Sequence, residues 1–182
     1  MNTPSLDQKQ FRFRDNDGTD ETDATWRQNT NVDDTQDTAT VYRVRFTVAE
    51  TAGFAANNKT FNLERRLNAG AWGNVTTSSS IVQAAASNLV DGNNTTQQIS
   101  SPDTFQGGDG QSNDGSPGGS QNDFAGNDSW EGEISYQIID ADVAHNDTID
   151  LRLAGLDSYT VADGTITVNK PAAGGRRVMV VS

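Results

Sequence analysis

Within the segment Thr38–Val48, the side chains change character at every step: Tyr42, Val44, Phe46 and Val48 alternate with Val41, Arg43, Arg45 and Thr47. A repeat of two fits an extended strand, whose successive side chains leave opposite faces. It does not fit a helix, where like residues recur at three and four. The pattern predicts a strand with the Tyr42–Val48 set buried and the arginine set on the opposite face.

The same reading extends along the chain. Phe11 and Phe13 alternate with arginines in Gln10–Arg14. Ile134, Tyr136 and Ile138 alternate with Glu133, Ser135 and Gln137, and Ile149, Leu151 and Leu153 with Asp150 and Arg152. Thr165–Val168 is a last sandwich strand. Phe61–Arg65 is a further strand, and Asn68-Ala69-Gly70 is a turn signal that folds Trp72–Val75 back on it as a hairpin. Ile81–Val90, with its three consecutive alanines, is left open between a short strand and a short helix. Short strands separated by turn signals predict an all-β chain, an antiparallel β-sandwich of jelly-roll or immunoglobulin-like type.

Three segments fall outside the sandwich. Residues 1–9 are polar and read as an N-terminal arm. Within the domain 10–170, residues 107–127 are rich in Gly, Ser, Asn and Asp and read as a long loop. Residues 171–182 are a tail: a flexible joint, then Arg176-Arg177-Val178-Met179-Val180-Val181. That tail is either the final strand or a hook that pairs with the sheet edge of a neighbouring protein.

Charge and composition exclude several classes of function. A net charge of −12 opposes binding to phosphate backbones and to anionic membranes. With no cysteine there is neither a disulfide nor a thiolate ligand. No run approaches the roughly 20 apolar residues of a membrane span. The opening residues lack the basic-then-apolar pattern of a secretory signal, so synthesis in a cytoplasm is expected.

Candidate chemistry is sparse. His145, the single histidine, stands in an Ala-His-Asn-Asp turn with no nucleophile marked beside it. Glu131 and Glu133 share one strand face, as a glycosidase pair would, but a solvent-facing strand edge is the simpler account. Asp15-Asn16-Asp17-Gly18-Thr19-Asp20-Glu21 imitates a calcium loop. Its twelfth position is Trp26 and not the bidentate glutamate, so a solvated acidic turn is favoured. Asp109 and Asp114 lack the regular repeat of calcium-binding β-rolls. Trp26, Trp72 and Trp130 are candidate sugar-stacking platforms or core plugs. No catalytic residue, cofactor or metal is expected.

Four stretches carry a resemblance: Phe11–Gly18 with Ala24-Thr25-Trp26; Tyr42–Phe46; Leu63–Val75; and Asp147–Arg152 with Leu156–Thr160. Together they resemble β-sandwich modules of tailed-bacteriophage virions, in particular head decoration (cement) proteins and domains of tail or fibre proteins. The likeness spans roughly residues 10–169 and is one of strands and turns. It implies a non-enzymatic protein on the outer capsid surface, made in the host cytoplasm, partnered by a major capsid protein and assembled as a homotrimer. The arm and Arg176–Val181 are the expected contacts. The alternative is a tail or fibre module that binds host surface glycans through Trp130 or the 107–127 loop.

Overall fold

The structure, a computed structural model, describes residues 3–116, 122–161 and 163–170. It is all-β. In chain order the strands are β1 (Leu6–Asp15), β2 (Asp34–Asp37), β3 (Val41–Glu50), β4 (Ala56–Lys59), β5 (Leu63–Leu67), β6 (Gly73–Asn74) and β7 (Val82–Ala84). They continue with β8 (Thr104–Phe105), β9 (Gln111–Ser112), β10 (Asn122–Phe124), β11 (Asp128–Ile138), β12 (Thr148–Leu153), β13 (Ser158–Tyr159) and β14 (Gly164–Asn169).

Two sheets face each other. The first runs β13-β1-β3-β11-β7, and the second β2-β14-β12-β5-β6. A small ribbon, β4 with β10, stands beside them. The core lies between the inner faces. Phe11, Phe13, Val44, Phe46, Ile134 and Tyr136 of the first sheet belong to one buried cluster with Leu63, Ile149, Leu151, Leu153, Ile166 and Val168 of the second. Gly164 marks how close the sheets come, since a Cβ there would meet the rings of Phe11 and Phe13 at 2.8–3.1 Å.

The hairpin forms as its sequence predicts. Asn68 and Ala69 both take positive φ (48° and 58°), and Gly70 N–H closes the turn on Leu67 O at 2.8 Å. That is the type I′ geometry whose twist suits paired strands. Ile81–Val90 is not a helix: only Val82–Ala84 is regular, and it pairs with β11. Ile81 before it sits at φ 69°, a costly conformation for a β-branched residue. Its carbonyl accepts Ile139 N–H and its own N–H donates to Asp142, which ties the bend down.

The N-terminal boundary moves. β1 starts at Leu6, so residues 6–9 of the expected arm are strand, with Leu6, Asp7 and Gln8 buried. The polar residues are used: Gln8 Oε1 accepts Leu153 N–H, and the Asp7 carboxylate accepts Thr160 N–H at 2.7 Å. Their partners lie far along the chain, which hides the strand from a local reading. The described parts of the glycine-rich stretch, 107–116 and 122–127, contain strand segments and are not a plain loop. Together with β8 just before it, β9 lies along the outer edge of β11, end to end with β7. Three short segments thus cover an edge that one long strand would otherwise leave open to other chains. The tail 171–182 lies outside the described residues.

Trp130 is wholly buried. It packs at 5.1 Å on Phe61 and across Gly132, which follows it two residues later on the same face. A methyl group at Gly132 would press on the indole, 2.9 Å from Cζ3. Gly132→Ala is therefore expected to destabilise the fold by about 1–3 kcal/mol, the usual cost of overpacking. Chemical denaturation of both proteins measures this, and equal midpoints would contradict it.

Candidate functional site

The outer face of the first sheet brings the charged residues together. Strand register places Arg12 and Arg14 of β1 beside Arg45 and Arg43 of β3, and these beside Glu133 and Ser135 of β11. On a bare sheet this face would meet water. Here Arg14, Arg43, Arg45, Glu131 and Glu133 are all at most 1 % exposed. Two loops lie over them, residues 16–24 and 95–99.

Glu133 is the hub. Its carboxylate accepts Arg14 Nη1 at 2.9 Å, Arg45 Nε at 2.7 Å and Arg43 Nη1 at 3.4 Å. Arg45 also pairs with Glu131 at 2.8 Å and with the Glu21 carboxylate from the covering loop. Other guanidinium donors reach loop carbonyls: Arg43 to Asp20, Arg14 to Glu21 and Ala24, and Arg45 to Thr96 and Glu21. Arg43 Nε donates to Asn16 Oδ1, while Arg43 Nη2 has no partner among the described residues. Three arginines meet three glutamates, so the layer is neutral. Burial opposes the Arg45 charge, but Glu133 and Glu131 outweigh it and raise its pKa.

Burial also raises the Glu131 carboxyl above its ordinary value, against the pull of Arg45 and of backbone N–H groups. The pair is nevertheless ionised on geometric grounds. Arg45, Gln98 N–H and Ile99 N–H, the groups that meet its carboxyl oxygens, are all donors. A protonated carboxyl would find no acceptor among them. The expectation that Glu131 and Glu133 form a solvent-facing strand edge is therefore overturned, because β11 is central and roofed. Nor are they a glycosidase pair in open water: both carboxylates are saturated by cations or N–H donors and shielded from solvent.

The acidic stretch 15–23 is part of that roof. Asp17 accepts Thr25 N–H and Oγ1 at 2.8 and 2.7 Å, and Asp23 accepts Thr19 N–H and Oγ1 at 2.8 and 2.7 Å. Asp20 accepts Thr22 N–H at 2.6 Å. Each acid caps a turn of its own loop, and Glu21, expected in a solvated turn, is only 4 % exposed. No group of three or more His, Asp or Glu converges on a metal position among the described residues.

The tryptophans separate into two kinds. Trp130 is sealed in the core, so it offers no face to a sugar. Trp26 and Trp72 are half-buried and already stacked. Arg12 and Arg14 lie 4.3 and 4.1 Å from the Trp26 ring, and Arg152 and Arg66 lie 3.9 and 4.6 Å from Trp72. His145 is exposed in its turn and accepts Lys170 N–H at 3.3 Å. Arg176, Arg177, Val178, Met179, Val180 and Val181 lie outside the described residues. The arginine–glutamate layer was missed in the sequence because alternation reports only which residues share a face. The available signal was composition: three long cations opposite paired acids in adjacent strands.

Comparison of the chain with protein-family models, with curated proteins and with solved structures gives no match. Fold and site thus define a β-sandwich class of protein and no narrower family.

Two outcomes test this layer. Replacing Glu133 with glutamine leaves three buried arginines facing two carboxylates, and removing one partner of a buried pair typically costs about 3–5 kcal/mol. Unfolding of Glu133→Gln in urea measures the loss. The roof is acid-sensitive. Hydrogen bonds from Thr19 hold Asp23 down at about 2, and those from Thr25 and Thr22 lower Asp17 and Asp20. Depressed carboxylates stabilise the loop above their unfolded value near about 4 and lose that contribution as pH falls through the folded value. Trp26 fluorescence is expected to hold steady down to about pH 4 and to change between there and about pH 2. Asp23→Asn should loosen the loop already at neutral pH.

Proposed function

We infer that the chain is a non-catalytic virion component that coats the outer surface of an assembled phage head and ties neighbouring shell subunits together. The observation that carries this reading is where the charge goes. The body uses its cations internally: Lys9, Arg14, Arg27, Arg43, Arg45, Arg66, Arg152 and Lys170 all pair with its own carboxylates. Acidic residues still exceed basic ones by twelve over the whole chain, so the outward charge is strongly negative. Against that background Arg176 and Arg177, followed by four apolar residues, are chemically unlike the rest. A basic, β-prone end suits an acidic acceptor with a free strand edge.

The body supports the same reading. Its long central strands are capped by short edge pieces, which suppress indiscriminate pairing and leave attachment to a chosen segment. Binding only to the assembled lattice stabilises it by mass action, and many identical copies add weak contacts into a strong coat. The N-terminal contact shrinks in this account, because Leu6–Gln10 belong to β1.

Deleting residues 171–182 is expected to lower occupancy on assembled heads at least tenfold, and raising salt should weaken the intact protein's binding, as screened charges require. Occupancy is read by gel densitometry of purified particles. Undiminished binding after deletion of both 171–182 and 1–4 would remove this mechanism.

A further inference from the structure

A cleft of about 480 Å³ opens at one end of the roofed face, where β1 and β3 meet the loop 101–103. Its volume falls in the range of small-molecule sites. Lys9, Gln10, Asn31, Thr51, Asp103 and Asn127 line it, with Glu50 at its base.

The cleft is rigidly built. The Glu50 carboxylate is 1 % exposed and accepts five backbone N–H groups, from Ser5, Ala52, Gly53, Phe54 and Asn127, at 2.8–3.1 Å. One side chain thus fastens three separate segments of the wall. Asn31, at φ 60°, is fixed on β1: its Oδ1 accepts Phe11 N–H at 3.0 Å and its own N–H donates to Phe11 O.

Unused hydrogen-bonding capacity lies at Gln10 in the wall and at three residues behind it. Buried polar atoms without a partner are rare in folded proteins and costly. Six side-chain atoms of this kind occur among the described residues, and four of them are Gln10 Oε1, Thr47 Oγ1, Ser129 Oγ and Gln106 Nε2. Thr47 faces Gln10 across the β1–β3 ladder, and Ser129 pairs with Ala49 next to Glu50. Gln106 N–H donates to Ser129 O.

The chemistry of the wall selects the ligand. Glu50 has both oxygens occupied, which leaves Asp103 as the carboxylate at hand and makes a poor cation site. Lys9 is the sole cation and is paired with Asp7 at 2.8 Å, which makes a poor anion site in a chain of this charge. Pro102 is the one apolar lining residue, so a wholly apolar ligand would leave the polar groups of the wall unsatisfied. What remains is a mixed set: Asp103 accepts, Asn31 Nδ2 and Lys9 Nζ donate, and the Gln10 and Asn127 amides supply both. Neighbouring hydroxyl groups, each donor and acceptor at once, satisfy such a set.

We propose that this cleft binds a neutral saccharide. The site is distinct from Trp130 and from the 107–127 stretch, and it stands independently of attachment to a shell.

The test is titration of the ¹⁵N-labelled full chain, and of the chain lacking 171–182, with glucose, galactose, mannose, N-acetylglucosamine, maltose and lactose. At least one is expected to give saturable shifts in both proteins, confined to the amides of residues 9–10, 31, 50–51, 101, 103 and 127, with Kd in the millimolar range. Gln10→Ala and Asp103→Ala should each weaken it about tenfold, equivalent to about 1.4 kcal/mol. Gln10→Ala should leave the remaining spectrum unchanged, since Oε1 holds nothing in the fold. The proposal is overturned if none of the six sugars moves these amides, or if both variants bind as the parent does. It is also overturned if glucose 6-phosphate or calcium binds the cleft more tightly than every neutral sugar. Because the shortened chain is titrated in parallel, loss of shell attachment leaves this result untouched.

Discussion

The Glu133 carboxylate holds the middle of the molecule. It receives guanidinium groups from β1 and β3 and lies on β11, so the three longest strands share one anion. Buried ion pairs seldom add net stability over well-packed apolar groups, because desolvation offsets attraction. Their consequence here is register. A slip of one residue in β3 would carry Arg43 and Arg45 into the face now held by Val44 and Phe46, and would leave Glu133 buried without a cation. The apolar pattern and the ionic pattern therefore enforce the same alignment from opposite sides of one sheet.

A sheet with two buried faces needs something to cover the second. The sandwich supplies one cover, the facing sheet. Loops supply the other, and loops carry backbone groups that must be satisfied. The arginines meet that demand: their surplus donors end on carbonyls of Asp20, Glu21, Ala24 and Thr96. The roof's own acids then cap its turns. Ionic layer and roof are thus one construction, in which most donors of one part meet acceptors of the other, and Arg43 Nη2 is the guanidinium nitrogen left without a partner among the described residues. Gln10, Thr47, Ser129 and Gln106, which also carry unpartnered atoms, fall at the end where the roof gives way to the cleft.

Much of the framework was legible locally. The inner face of β3, the Leu67–Gly70 turn and the strands near Ile134, Leu151 and Ile166 follow from alternation and turn chemistry, which act over a few residues. Three features resisted. Leu6–Gln8 read as a polar arm because their partners, Leu153, Asp157 and Thr160, are some 150 positions distant in sequence. Asp34–Asp37 went unread because β2 pairs in parallel with β14 and has a polar sequence. The arginine face looked like a solvent face because alternation distinguishes the two sides of a strand without saying what covers either. Burial of charge is decided by long-range complementarity, and no window along the chain contains it.

The distribution of charge then follows from the fold. Paired cations are drawn inward or onto half-buried aromatic rings, as at Trp26 and Trp72. Apart from Glu50, which is buried on five backbone N–H groups, acids in excess of these pairs mostly lie outward, where solvation is cheapest and where many sit on turn N–H groups. An acidic coat is hence a by-product of how the interior is neutralised, and it repels other copies of the same body at low salt. Association of such bodies, with each other or with a larger surface, requires a segment of opposite character. Of the sequence outside the described body, residues 176–181 alone have that character.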